Sequence, residues 1–118
     1  MKNIQLLCKS CSIKLTEVLH VVSESKIKWE YEQDILGEKE AVISMHLDTM
    51  YILTNLDDEE LINHPDCNRF SGCCGSSGSN GVNRLCKNGH EVATETSDCC
   101  TSLYLSFSSD HVIIKEIP

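Results

Sequence analysis

Residues 67–100 read CNRFSGCCGSSGSNGVNRLCKNGHEVATETSDCC. This segment holds six of the eight cysteines and five of the six glycines of the chain. Cysteine sulfurs are good metal ligands, and the glycines allow the backbone to turn sharply around something as small as an ion. The segment therefore predicts a metal centre, for which zinc is the first choice.

The two remaining cysteines form a Cys-x-x-Cys pair at Cys8 and Cys11. Two thiolates at this spacing reach one ion when the turn between them folds back, which supplies two of the four ligands of a tetrahedral site. The alternative is a thioredoxin-like redox pair, which requires the first cysteine at the start of a helix. Because Ser12 onward has the pattern of a strand, the metal interpretation is favoured.

The other ligands of this site must come from the downstream segment. Cys86 and His90 have a Cys-x3-His spacing and can share one ion if Gly89 adopts a left-handed conformation. Asn88-Gly89 is also typical of a two-residue hairpin turn, in which His90 would be an ordinary surface residue. Cys99 competes with His90 for the fourth position.

A second site can be built from Cys73 or Cys74 together with Cys99 and either His64 or Cys67. Neighbouring side chains point apart in extended chain, so one cysteine of each Cys-Cys pair is expected to face the site and the other the core. The alternatives are one site with spare buried thiols, or a disulfide. The predicted metal ligands are Cys8, Cys11, Cys86, His90, Cys99, Cys73, Cys74 and His64.

Composition limits the classes of function. The 118 residues predict a single domain, residues 1–118, with the metal-site segment at 67–100. The net charge of −8, with 10 basic against 18 acidic residues, argues against nucleic-acid binding. No apolar run is long enough to cross a membrane, and the start lacks the apolar core of an export signal. A cytoplasmic location with reduced thiols is therefore expected, whereas an oxidising compartment would favour disulfides.

Alternation of apolar and polar residues at 13–22, 27–32 and 103–107, with β-branched or apolar segments at 41–47 and 49–54, predicts a chain dominated by β-strands. Strands are expected at residues 3–7, 13–22, 27–32, 41–47, 49–54, 91–96, 103–107 and 111–117.

One short helix, Asp58–His64, is predicted by a capping box. Asp57 is the expected N-cap, Glu60 completes the box, and Pro65 ends the helix. The predicted fold is mostly β, a small zinc-ribbon-like β-sheet domain with one short helix and a Gly/Cys-rich loop.

Four motifs in the cysteine-rich segment carry a resemblance: Gly-Cys-Cys-Gly at 72–75, Gly-x-Asn-x-x-Cys at 81–86, Gly-His-Glu-Val-Ala-Thr-Glu at 89–95 and Ser-Asp-Cys at 97–99. With the N-terminal Cys-x-x-Cys, this pattern resembles a family of small, uncharacterised bacterial Cys-rich proteins of zinc-ribbon-like type. The resemblance covers the first dozen residues and about 71–100. An aromatic residue often stands in the place of Cys100, and the place of Cys67 varies, so both are the weakest ligand candidates. The resemblance implies a metal site and no particular activity.

The leading functional hypothesis is a small zinc-binding protein with one or two structural metal sites that acts as a protein-interaction module. The alternative is a thiol-redox or metal-handling protein that uses the Cys-x-x-Cys motif and the vicinal cysteine pairs. A zinc hydrolase ranks third, with Glu91 or Glu95 as the nearby candidates for a general base. A protein partner is expected, whereas nucleic acid and membrane are not.

Overall fold

The computed structural model describes residues 3–56 and 60–118. Within these ranges the chain forms nine β-strands and two short 3₁₀ helices, Glu24–Lys26 and Cys67–Phe70. The mostly β fold class is therefore confirmed. The strands are β1 (Asn3–Cys8), β2 (Leu19–Val21), β3 (Glu40–His46), β4 (Thr49–Thr54), β5 (Leu61–Asn63), β6 (Arg84–Cys86), β7 (Glu91–Thr96), β8 (Tyr104–Ser108) and β9 (Val112–Glu116).

The described strands form one sheet in the order β5-β6-β7-β8-β4-β3-β2-β1-β9. β2 and β3 run parallel, and the other neighbouring pairs are antiparallel. In a flat sheet β1 would lie six strand spacings from β6, about 28 Å away. Instead Leu6 of β1 belongs to the same buried cluster as Cys86 of β6 and Val92 of β7. The sheet is therefore curled, with its two ends packed around one core.

The prediction of a strand at residues 27–32 is wrong. This segment crosses the outer face of the sheet, where Lys28 N donates to Ile35 O and Glu32 N donates to Thr101 O. Trp29 stacks edge-on against Tyr104, with ring centroids 5.6 Å apart. Ile27 packs against the small cluster of Ile35, Leu36 and Val42, whereas Trp29 and Tyr31 are exposed. Single hydrogen bonds, and not a ladder, therefore join this segment to the rest of the chain.

The predicted strand at residues 13–22 is shorter in the structure, where only Leu19–Val21 forms β2. Leu15 N still donates to Leu6 O, so the chain begins to run back along β1. The hydroxyl of Thr16 then accepts from Leu6 N at 3.2 Å and donates to Glu17 O at 2.8 Å. This local side-chain pairing replaces the backbone ladder and bends the chain away.

The predicted helix Asp58–His64 is also wrong where the structure describes it. Leu61–Asn63 is a strand, β5, paired antiparallel with β6. The remainder of the capping box, at residues 57–59, lies outside the described residues. A helix of two turns has little stability of its own, and pairing with β6 buries Leu61 in the core instead.

Six strands agree with the strands predicted from the sequence. β1, β3, β4, β7, β8 and β9 fall within one or two residues of their predicted limits. No helix in residues 3–56 and 60–118 has both the length and the apolar character needed to cross a membrane.

The core makes a testable prediction at Phe107, which is completely buried in β8 at the centre of the main cluster. Substitution Phe107→Ala should lower the free energy of unfolding by about 3–5 kcal/mol, because it removes a large apolar contact and leaves a cavity. Leu47→Ala, at a side chain 86% exposed, should change it by less than about 0.5 kcal/mol. Urea unfolding measures both, and equal effects would contradict the described core.

Candidate metal centre

Four predicted ligands meet at one end of the curled sheet. The ligand atoms of Cys8, Cys11, Cys86 and His90 all lie within 4.8 Å of one another. Cys8 ends β1 and Cys11 lies in the turn after it, whereas Cys86 ends β6 and His90 immediately precedes β7. Cys11 and Cys86 are 75 residues apart in sequence. The curl of the sheet therefore brings two distant turns together.

The first turn holds its two sulfurs by folding back at once after β1. Ser12 N donates to Cys8 O at 2.7 Å, and Cys8 N donates to Ile13 O at 2.9 Å. Ser12 has a φ of 63°, the left-handed region that closes this reversal. The backbone N–H groups of Cys11 and Ser10 point at the Cys8 sulfur, as suits a thiolate.

The second turn is a hairpin connection and a ligand pair at the same time. Gly89 N donates to Cys86 O and Cys86 N donates to His90 O, both at 2.8 Å. Gly89 has a φ of 88°, so the left-handed conformation occurs. The two-residue Asn88-Gly89 turn does not, because Cys86 pairs with His90 across a three-residue connection of Lys87, Asn88 and Gly89. This arrangement places Nδ1 of His90 3.3 Å from the Cys86 sulfur, and His90 N donates to the same sulfur at 3.4 Å.

The two cysteines of the first turn differ in their electrostatics. Cys8 and Cys86 are buried, and burial raises the pKa of Cys8. Cys11 is only partly buried, and the Asn88 side-chain amide donates to its sulfur at 3.4 Å. This bond, with the N–H of Ile13, lowers the pKa of Cys11 to about 6. Asn88, which sequence reasoning treated only as a turn residue, therefore favours the thiolate form of Cys11 through a hydrogen bond from the second turn to the first.

A second group forms at the far end of β7. The sulfurs of Cys73, Cys74 and Cys99 lie within 4.8 Å of one another, and Cys74 and Cys99 form a disulfide with a Cα–Cα distance of 5.8 Å. The expectation that every thiol stays reduced therefore fails for this pair. The expectation that one cysteine of each vicinal pair would face the core is also wrong, because Cys73, Cys74 and Cys100 are all exposed. Residues 72–75 form bends, and the rule that neighbouring side chains diverge applies to extended chain.

Asp98 organises this second group. Its carboxylate accepts from Cys73 N at 3.0 Å, Cys74 N at 3.0 Å and Cys99 N at 2.7 Å. These bonds, led by the one from Cys74, lower the pKa of Asp98. Sequence reasoning missed this role, although an aspartate directly before a Cys-Cys pair is a signal for capping of backbone N–H groups.

Asn83 was also missed, and it fixes the Gly/Ser-rich loop against the sheet. It is completely buried, and its amide donates to Arg69 O, to Ser76 Oγ at 2.9 Å and to Glu95 O. Its side-chain oxygen accepts from Glu95 N at 2.6 Å. Arg84 beside it pairs with the Glu95 carboxylate at 2.7 Å. Polar contacts thereby tie residues 69–83 to the sheet.

The remaining candidates lie elsewhere. His64 uses Nδ1 to accept from Asp66 N at 3.0 Å, and its Nε2 lies 3.5 Å from the Glu91 carboxylate. Cys67 is an exposed free thiol on the second 3₁₀ helix. Cys99 and His90 flank opposite ends of β7, a strand about 17 Å long, so Cys99 does not join the first group. Of the two candidates for the fourth position, the structure groups His90 with Cys8, Cys11 and Cys86.

Comparison of the chain with known protein families, with curated proteins and with solved structures gives no match. Function must therefore be inferred from the chemistry of the two cysteine groups.

A prediction follows for Asp98. Because its folded pKa lies below the ordinary value of 3.8, its stabilising effect is complete above that pH and is lost as the pH falls through the folded pKa. Asp98→Asn should cost about 1–3 kcal/mol at neutral pH, since two carboxylate oxygens accept three N–H groups and one amide oxygen cannot replace them. The difference between the two proteins in urea unfolding should shrink at about pH 3.

Taking the difference between the two proteins cancels any loss of metal in acid, which affects both equally. A difference that stays constant or grows from neutral pH to acid would contradict this role of Asp98.

Proposed function

We propose that the chain is a small zinc-binding protein in which one structural ion, held by Cys8, Cys11, Cys86 and His90, fixes a curled β-sheet that serves as a protein-interaction module. The observation that carries the proposal is the convergence of four metal-ligating atoms within 4.8 Å of one another from turns on β1 and on the β6–β7 hairpin.

The donor set supports zinc. Three thiolates and one imidazole form a common structural zinc set, and a tetrahedral ion with ordinary bond lengths separates two sulfurs by about 3.8 Å and a sulfur and a nitrogen by about 3.5 Å. The Cys11 and Cys86 sulfurs are 3.8 Å apart, and the Cys86 sulfur lies 3.3 Å from His90 Nδ1. The side chains therefore need little movement to take up the ion.

A structural role is supported by the number and burial of the ligands. Four protein ligands complete a tetrahedron and leave no position for water or substrate. The two candidate bases for a hydrolase are engaged elsewhere, since Glu91 pairs with Arg69 at 3.4 Å and Glu95 with Arg84 at 2.7 Å. The ion would instead join turns 75 residues apart.

An interaction role is supported by apolar side chains on the outside of the sheet. Leu47, at the turn between β3 and β4, is 86% exposed and has a φ of 54°. A leucine in this left-handed region costs about 1–2 kcal/mol, which the fold itself does not repay by burial. Met45 beside it and Trp29 on the outer face are also exposed. A protein partner would cover these side chains. The resemblance to small bacterial zinc-ribbon-like proteins, a cytoplasmic location and the absence of nucleic acid and membrane among the ligands are part of the same proposal.

The alternative function, thiol-redox or metal-handling chemistry, is favoured by one specific observation. The Cys74–Cys99 disulfide lies beside two further exposed thiols, Cys73 and Cys100. This observation concerns the far end of β7 and does not compete with the first group for its ligands.

Zinc content tests the ligand set. Protein purified without chelator should carry at least one zinc per chain, and single Cys8→Ser, Cys11→Ser and Cys86→Ser variants should each lose tight binding of one ion, because a tetrahedral site loses a thiolate in each case. His90→Ala should release zinc faster to a colorimetric chelator. Cys67→Ser is the matched control, since its thiol is exposed and outside both groups. Retention of all zinc in Cys8→Ser and Cys86→Ser would reject the site.

Removal of the ion tests its structural role. Metal-binding free energy at such a site becomes folding free energy, of order 10 kcal/mol in small domains. Chelation should therefore abolish the dispersion of amide NMR signals from β1, β6 and β7 together, and not only from the two turns. Unchanged dispersion and an unchanged melting temperature in the zinc-free chain would show that the ion is not structural.

A further inference from the structure

We propose that the Cys74–Cys99 disulfide is a redox gate on a second metal site. When the bond is reduced, Cys73, Cys74 and Cys99 form a three-thiolate site for a thiophilic d¹⁰ ion such as Zn²⁺. When the bond forms, two of the three donors are withdrawn and the ion is released. The inference goes beyond the structural role proposed for the first group and stands on different residues.

The positions of the three sulfurs support a shared metal site. All three sulfurs lie within 4.8 Å of one another, although two of them share a covalent bond. Thiolates on one zinc ion stand about 3.8 Å apart, so reduction requires the Cys74 and Cys99 sulfurs to separate by about 1.8 Å. Rotation of side chains is enough for this, since Cys74 is exposed and Cys99 only partly buried. Thiolate-only donors select zinc or Cu⁺ over the hard cations.

The backbone around the three cysteines is held by contacts that do not involve sulfur. The Asp98 carboxylate accepts one N–H group from each of Cys73, Cys74 and Cys99. The tight turn is completed by Gly72, where a Cβ would collide with Gly75 O and with the Asp98 carboxylate. Neither the carboxylate bonds nor this close approach depend on the oxidation state of the cysteines. The three cysteines therefore keep the same Cα positions in the disulfide form and in the metal-bound form.

Exposure makes the group reachable by both an ion and an oxidant. Cys73 and Cys74 lie at the surface, in contrast to the buried Cys8 and Cys86 of the first group. Three protein ligands leave one coordination position for a solvent or buffer ligand, which suits an ion that exchanges. The group is therefore built for reversible capture, whereas the first group is closed.

The oxidant is a small-molecule disulfide. The Cys74 thiolate attacks one of its sulfurs and expels a first small thiolate, which gives a mixed disulfide. The Cys99 thiolate then attacks the Cys74 sulfur, forms the Cys74–Cys99 bond and expels the second small thiolate. One S–S bond breaks and one forms; two protein sulfurs are oxidised and two small-molecule sulfurs are reduced. The expelled thiolates take their protons from solvent, and the metal ion leaves with its charge unchanged.

The test counts zinc bound to the full chain in two states. One sample is reduced with a phosphine and desalted without oxygen, the other is oxidised with glutathione disulfide, and mass spectrometry of alkylated peptides checks the Cys74–Cys99 bond. Zn²⁺ is then titrated against a colorimetric chelator. The reduced chain should bind one ion more than the oxidised chain.

Cys73→Ser is the decisive variant, because it removes a metal donor at an exposed position and leaves the disulfide pair intact. It should still form the Cys74–Cys99 bond and should lose the additional ion in the reduced state. Cys67→Ser, an exposed thiol outside both groups, should retain the difference. Equal zinc counts in the two states of the unaltered chain, or a difference that persists in Cys73→Ser, would overturn the proposal.

The zinc count of the oxidised unaltered chain separates this proposal from that for the first group. It should be one, because Cys73, Cys74 and Cys99 hold no ion while the Cys74–Cys99 bond is formed. A count of zero in the oxidised unaltered chain would reject the first site alone, while the additional ion on reduction would still support the second.

Discussion

Burial of one apolar face forces the sheet to curl until β1, near one edge, packs against β6 and β7 near the other. The turns at the ends of β1 and β6 then have to meet, and both carry sulfur. The edge strands of the described sheet, β5 and β9, do not pair with each other, so backbone hydrogen bonds do not close the sheet into a barrel. Side chains must therefore fix the distance between the two ends. Under the proposed function, an ion on four ligands does this with directional bonds, which apolar contacts alone do not provide.

At the far end of β7, polar contacts hold the loop of residues 69–83 in position. The loop of residues 69–83 is rich in glycine and serine and offers little apolar surface to bury. Asn83 and Asp98 instead gather backbone groups that would otherwise lack partners. Both side chains are buried, so each missing bond would leave an unsatisfied group away from water. The two ends of the molecule thus use cysteine in two environments: buried and closed at Cys8 and Cys86, exposed and framed by a carboxylate at Cys73 and Cys74.

Much of this arrangement could be predicted from local pattern. Runs of β-branched and apolar residues located β3 and β4, and the spacing of Cys8 with Cys11 and of Cys86 with His90 depends on single turns. Failures came where a distant contact decided the outcome. Residues 27–32 alternate but make single hydrogen bonds to Ile35 and Thr101 and not a ladder, and Leu61 pairs with β6 despite its helix signal. The division of the cysteines between two groups depends on which end of β7 each one reaches, and that follows from the direction of the strand within the sheet.

The separation of 75 positions between Cys11 and Cys86 also sets an order of events during synthesis. A ribosome that adds about 5–20 residues per second exposes Cys8 and Cys11 roughly 4–15 s before their partner ligands exist. During that interval only two of the four proposed ligands exist, so any ion that Cys8 and Cys11 hold is bound weakly. The sheet cannot curl to its final form before β6 and β7 have emerged. Under the proposed function, tight capture of the ion therefore follows the synthesis of β6 and of the turn to His90.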